Sequence, residues 1–216
     1  MEIIRDIPQG SDEWFALRIG SLGGSSISKA VAKGEGKTRK QLLYDMVGEI
    51  LANQKKEHFK SKPMEDGITF EDDARNLYVF KKDCEVDQIS MFKDGPHKHY
   101  SPDGVIGDTG LLEIKCVIPS TYVEAKITGV VPTDYRRQIQ WGLAVSEMEW
   151  CDYVVYCPAI GELIIQRLVR DEKEIQILKA GADDFITDML RMYKAVLGDP
   201  GNMLSPEQEN MDDIPI

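Results

Sequence analysis

Two carboxylates and one amine fall at short, regular spacing: Asp103 in Ser101-Pro102-Asp103-Gly104, Glu113 ten residues later, and Lys115 two beyond that in Leu111-Leu112-Glu113-Ile114-Lys115-Cys116. An acid pair can hold Mg²⁺, an oxygen-seeking ion that keeps several waters and engages phosphate oxygens. An amine beside it can meet the attacking water or the phosphate. The group therefore suits metal-assisted phosphodiester hydrolysis.

Strand geometry explains the spacing, because residues two apart share a face. Leu112, Ile114 and Cys116 can pack inward while Glu113 and Lys115 stand together opposite, about 7 Å apart along the strand. Gly107-Asp108-Thr109-Gly110 is rich in turn formers and suits a hairpin that lays residues 111–117 beside residues 99–106. Its register is open, since a slip of one residue would turn Asp103 to the other face. The convergence of Asp103 with Glu113 follows from the chemistry and not from the pairing. Glu35-Gly36-Lys37, Glu124-Ala125-Lys126 and Asp171-Glu172-Lys173 repeat the acid-x-basic form. Only Glu113 and Lys115 lie in an alternating apolar run with an acid-bearing turn upstream; the alternative is a surface salt bridge on a half-exposed strand.

The elements around this segment follow from periodicity. Helices are expected over residues 11–19, capped by Ser11, over 38–52, capped by Thr38, and over 64–81, with Phe70, Ala74, Leu77 and Tyr78 on one side. Strands are expected near 85–92, 98–106, 111–117, 150–157 and 162–169. A helix or turn-rich segment covers 119–128, Pro132 and Thr133 open a helix to about residue 146, and a last helix spans 171–197. Its stripe is Ile175, Leu178, Ala182, Ile186, Met189, Tyr193 and Val196. The fold class is α/β, a mixed central sheet flanked by helices, in one domain over 1–197 followed by an acidic, proline-containing tail over 198–216.

The chain of 216 residues is 42% apolar, as one soluble domain requires, and has no apolar stretch long enough to span a bilayer. Met1-Glu2-Ile3-Ile4-Arg5 lacks the basic start and apolar run of a signal peptide, so a cytoplasmic protein without membrane partners is expected. Cys84, Cys116, Cys151 and Cys157 show no C-x-x-C spacing and are expected to be free thiols. The net charge of −11 opposes polyanion binding in bulk. Its distribution does not: residues 29–62 hold nine basic and four acidic side chains. Lys33, Lys37, Arg39 and Lys40 are candidate DNA contacts, a solvated charged surface being the alternative.

Further motifs accompany the acids. Gln9-Gly10-Ser11-Asp12-Glu13-Trp14 with Leu17-Arg18-Ile19-Gly20, Phe70-Glu71-Asp72-Asp73-Ala74-Arg75, the two acid-bearing segments, and Gln138-Ile139-Gln140 occur in that order. Together, from about residue 8 to about residue 158, they resemble the phage lambda exonuclease family, viral recombinase exonucleases of the PD-(D/E)-x-K superfamily. The resemblance implies a restriction-endonuclease-like core in which Asp103, Glu113 and the Ile114 carbonyl bind Mg²⁺ or Mn²⁺, Lys115 positions or activates water, and Glu71 serves the same centre. It places Arg18, Ser25, Ser101 and Gln138 where the family binds a terminal 5′ phosphate, with Ser26 the alternative to Ser25.

Structural roles compete for three of these. Glu71 has the spacing of a helical ion pair with Arg75, Arg18 could cover Trp14, and Gln138 could be helix surface beside Tyr135 and Trp141. The resemblance also implies action on double-stranded DNA ends with 5′ to 3′ polarity, a ring-shaped homotrimer, and a single-strand annealing protein as partner. An endonuclease or repair nuclease of the superfamily, or a non-catalytic DNA-end or annealing-protein adaptor, are the other readings.

Overall fold

The structure, a computed structural model, describes residues 1–32, 36–55 and 62–198, the side chains of 62–69 excepted. Five long helices and two sheets build it. The order begins β1 (Glu2–Ile4), α1 (Asp12–Ala16), α2 (Gly24–Ala30), α3 (Lys37–Ala52) and α4 (Lys62–Lys82). It continues β2 (Met91–Lys93), β3 (His99–Tyr100), β4 (Gly104–Ile106), β5 (Gly110–Cys116), α5 (Pro119–Thr128) and α6 (Thr133–Ser146). It ends β6 (Trp150–Cys157), β7 (Glu162–Val169) and α7 (Glu172–Val196).

The central sheet has the order β4-β5-β6-β7. β4 and β5 form the expected antiparallel hairpin, with Gly104 opposite Leu112 and Ile106 opposite Gly110. β5 and β6 are parallel, joined by a crossover through α5 and α6, and β7 returns antiparallel to β6. A parallel pair is normally covered on both faces, and here α4 covers one. Ala74 and Tyr78 of α4 pack with Leu112, Ile114, Val154 and Tyr156. On the other face Leu111, Tyr153 and Val155 join the larger core of α2, α3, α6 and α7.

The second sheet, β1-β2-β3, is antiparallel. One continuous strand over 98–106 was the expectation; the chain instead leaves one sheet at Tyr100 and enters the other at Gly104. Pro102 accounts for the break, since it has no N–H to give a ladder and biases the residue before it. The 85–92 strand likewise shrinks to Met91–Lys93. Residues 11–19 form only the short α1, with the Ser11 hydroxyl accepting from the Trp14 amide at 3.2 Å. α3 begins at Lys37 behind Gly36, so Thr38 is inside the helix and not its cap. α7 is capped by Asp171, whose carboxylate accepts from the Lys173 and Glu174 amides, and its buried stripe gains Phe185 and Met192 while Val196 is exposed.

α6 is held close to β3 by size. A Cβ on Gly142 would lie 2.5 Å from the Tyr100 ring, so only glycine lets the helix approach. The Trp141 indole donates to the His99 carbonyl at 3.1 Å, fixing the same junction. All four cysteines are free. Among the described residues no helix is long and apolar enough to cross a membrane. The tail from residue 199 lies outside the described residues.

Candidate active site

The hairpin register brings the two acids face to face. With Gly104 opposite Leu112, the next pair along is Asp103 and Glu113, and the Asp103 amide donates to the Leu112 carbonyl at 3.1 Å. The Asp103 carboxylate accepts from the Ile114 amide at 2.5 Å. N–H and C=O of one strand residue point to the same edge, so the Ile114 carbonyl is turned toward Asp103 as well.

Glu113 is 1% exposed. One of its oxygens accepts from Lys115 Nζ at 2.6 Å and from Gln138 Nε2 at 2.5 Å; the other accepts from the Tyr100 hydroxyl at 2.5 Å. The expectation that Glu113 and Lys115 share the face opposite Leu112 and Ile114 holds. That face is roofed by α6 instead of open. Lys115 also lies 5.1 Å from the Tyr135 ring centre, a second favourable contact for its charge.

Arg75 ties the third acid to the first. Its guanidinium donates to Glu71 at 2.5 Å, to Asp72, and through Nε to the Asp103 carbonyl at 2.9 Å. The helical ion pair thus does not remove Glu71 from the neighbourhood of the other two acids. Glu71 is both Arg75's partner and a neighbour of Glu113 and Lys115 in charge.

Electrostatics mark the centre as crowded with negative charge. Burial, then Glu113 and Glu71, push the Asp103 carboxyl well above its ordinary range against the pull of Lys115. Burial likewise raises Glu71; Arg75 opposes this, and Glu113 and Asp72 add to the rise. Burial works to lower the Lys115 ammonium, yet Glu113 and Asp103 outweigh it and hold its pKa above the usual lysine value. Tyr100, raised by burial and Glu113, stays a donor.

Among the described residues no three His, Cys, Asp or Glu side chains form a ready metal cage. Mg²⁺ does not require one, since one or two carboxylates with waters and substrate oxygens suffice. Asp103, Glu113 and the Ile114 carbonyl offer that donor set. The like-charge penalty on Asp103 is what a bound dication would relieve.

The other sequence candidates gather around β3. Arg18 lies 3.9 Å above the Trp14 ring and donates through Nε to His99 Nε2 at 3.0 Å. Ser101 leaves β3 with its hydroxyl buried and without a hydrogen-bond partner among the described residues. Gln138 meets Glu113, and a Cβ on Gly24 would touch both its side chain and Tyr100, so the start of α2 lies against this spot. Ser25, the next residue, is exposed; Ser26 is half-buried.

The basic candidates divide. Lys37 is exposed and Lys40 half-buried, while Lys33 lies outside the described residues. Arg39 is engaged inside the fold, donating to the Ala30 carbonyl at 3.1 Å and pairing with Asp188 of α7 at 2.7 Å. Sequence reasoning missed Tyr100, His99 and the bridging role of Arg75. Adjacency to Ser101 was the available signal for the first two, and the four-residue step from Glu71 for the third.

A mixed sheet carrying these acids at a hairpin, with helices on both faces, defines the restriction-endonuclease-like nuclease fold. Residues 13–149 match the YqaJ-like viral recombinase domain, and the chain belongs to that family. The family resemblance read from the motifs is borne out. Among solved structures it resembles the alkaline exonuclease LHK-Exo from Laribacter hongkongensis, with a TM-score of 0.81 at 24% identity over 88% of this chain and 98% of that one. The same enzyme solved in complex with dAMP matches equally. A phage-related exonuclease from Haemophilus somnus 129PT matches with a TM-score of 0.63 at 13% identity, over 83% of this chain and 96% of that one. No curated protein sequence matches the chain.

Proposed function

We propose that the protein is a metal-dependent exonuclease that degrades one strand of linear duplex DNA 5′ to 3′ from a 5′-phosphorylated end, leaving a 3′ overhang for recombination. The observation that carries this is the convergence of Asp103, Glu113 and Lys115 at one hairpin, with Glu71 brought to them by Arg75. Membership of a viral recombinase family and the exonuclease fold support it.

The division of labour follows from the side chains. A Mg²⁺ ion (or Mn²⁺) held by Asp103, Glu113 and the Ile114 carbonyl would supply a Lewis acid and a water of lowered pKa. Lys115 presents ammonium donors where negative charge develops on the phosphorane-like oxygens. Gln138 and Tyr100 hold Glu113 in one orientation, so the carboxylate need not reorganise. Arg18, with the Ser101 hydroxyl, Gln138 and Ser25 or Ser26, receives the terminal phosphate, which a guanidinium fork suits in shape and charge. Lys37 and Lys40, with Lys33, follow the backbone beyond the site.

Three finer elements rest on the resemblance to viral recombinase exonucleases: a homotrimeric ring around the duplex, a single-strand annealing protein that receives the overhang, and action in the cytoplasm. Light scattering of the purified protein tests the first. The central experiment is nucleotide release from 5′-phosphorylated linear duplex, with and without Mg²⁺, for the parent and Lys115→Ala, beside a covalently closed circle. Release from the linear duplex only, dependent on Mg²⁺ and lost in the variant, is expected. Cutting of the circle would favour an endonuclease, and equal release by both proteins would remove the mechanism.

A further inference from the structure

The Arg18 guanidinium is held from two sides, and one side is a histidine that the proposed chemistry does not use. Trp14 stacks beneath it at 3.9 Å, and its Nε donates to His99 Nε2 at 3.0 Å. Arginine has only donors, so His99 Nε2 must offer a lone pair. The ring is then neutral with its proton on Nδ1, which lies 2.9 Å from the Ser21 hydroxyl and donates to it. His99 is 2% exposed and Ser21 3% exposed, so both bonds are made inside the protein. A Cβ on Gly23 would stand 2.5 Å from the ring, and the glycine is what admits the imidazole.

The consequence lies at the far end of Arg18. Nε is spent on His99, while the two terminal nitrogens make no hydrogen bond among the described residues. We propose that His99, whose Nδ1 proton is taken up by the Ser21 hydroxyl, is a positioning residue that fixes Arg18 by its Nε so that the terminal fork faces a 5′-terminal phosphate. This rests on the phosphate-binding reading of Arg18 given above. Burial, with Arg18, Lys55 and Lys93 nearby, keeps the imidazole far below its ordinary pKa, consistent with a ring that accepts and never competes for the anion. Burial lowers the Arg18 pKa to about 10 with Glu49 opposing, so the guanidinium keeps its charge at neutral pH.

Gln and Asn separate the two ring nitrogens chemically. A glutamine oxygen can reach the place of Nε2, whereas an asparagine reaches only that of Nδ1. The experiment measures KM and kcat for matched linear duplexes with 5′-phosphate and 5′-hydroxyl ends, for the parent, His99→Gln and His99→Asn. The parent is expected to prefer the phosphate. His99→Asn should raise KM for phosphorylated ends roughly tenfold, the scale of one lost hydrogen bond to a charged group, with kcat little changed, and His99→Gln should recover most of it. A merely structural role would shift kcat and KM for both kinds of end together, in both variants, and that result would overturn the proposal.

A parent without end preference would refute the phosphate reading itself. A parent with the preference and an unaltered His99→Asn would refute only the role of His99. Ring ¹⁵N spectra of the parent give a readout independent of how the variants fold, with only three histidines to assign. A neutral His99 protonated on Nδ1 is expected; a proton on Nε2 would overturn the proposal.

Discussion

Two buried carboxylates on neighbouring strands have opposite fates. Asp152 on β6 and Glu113 on β5 are each 1% exposed, one register step apart in the same sheet. Asp152 is satisfied. Arg167 clamps it with two bonds at 2.8 and 2.9 Å while stacking 3.5 Å over Trp150, and the Tyr78 hydroxyl donates at 2.6 Å. Burial works against its charge, but Arg167 and Tyr78 outweigh this and lower its pKa. The Glu113 cluster carries three acids against Lys115 and Arg75, and the excess falls on Asp103 and Glu71, whose pKa values rise. Burial of a charge therefore does not by itself mark a reacting centre; the imbalance of buried charge is what distinguishes the proposed one from the Asp152 cluster.

The comparison can be broken most readily by activity. Asp103→Asn and Lys115→Ala should each reduce nucleotide release by roughly a hundredfold or more, the scale of losing a preorganised charge at a reacting centre. Asp152→Asn should stay within about twofold, since one lost structural bond does not touch the chemistry. Comparable losses in all three would erase the distinction between the clusters.

Stability should run the other way. In metal-free protein, urea denaturation should show Asp152→Asn less stable by about 2 kcal/mol, as a charged hydrogen-bond acceptor is removed. Asp103→Asn should be neutral or stabilising by up to ~1 kcal/mol, because asparagine can still accept from Ile114 while relieving like charge. Mg²⁺ at millimolar concentration should raise the melting temperature of the parent by a few degrees, as any ligand of the folded state does. It should not do so for Asp103→Asn, and an equal rise in both would place the ion elsewhere.

The smallest effect is in pH. Asp152 has a folded pKa below its unfolded value of about 3.9. Its contribution is complete above that value and is lost as pH falls through the lower folded pKa. The destabilisation caused by Asp152→Asn, read at pH 7 and again near pH 3, should therefore shrink in acid. A constant difference would mean that the carboxylate charge adds nothing.

How much of this was legible in the chain depends on range. Strand alternation alone paired Glu113 with Lys115 on one face, and glycine-rich turn chemistry placed the hairpin. The register that sets Asp103 opposite Glu113 was not legible, since a slip of one residue would turn it to the other face. β6 and β7 were readable to the residue, being bounded by strong breakers and rich in Val, Ile and Tyr. β1 and β3 were not, because strands of three and two residues carry no period. α2 was hidden by Gly24-Ser25-Ser26, residues that favour caps and turns over helix interiors. The couplings of Arg18 to His99, 81 positions apart, and of Gln138 to Glu113, 25 apart, exist only once the sheets are packed.

The interruption at Pro102 has one more consequence. β3 ends at Tyr100 and β4 begins at Gly104, so only Ser101, Pro102 and Asp103 connect the sheet beside the proposed phosphate site to the sheet that carries the proposed cutting centre. In the proposed reaction that short tether acts as a ruler. The stride taken along a strand is set by covalent geometry, and lengthening this link by a single amino acid would change where the blade falls.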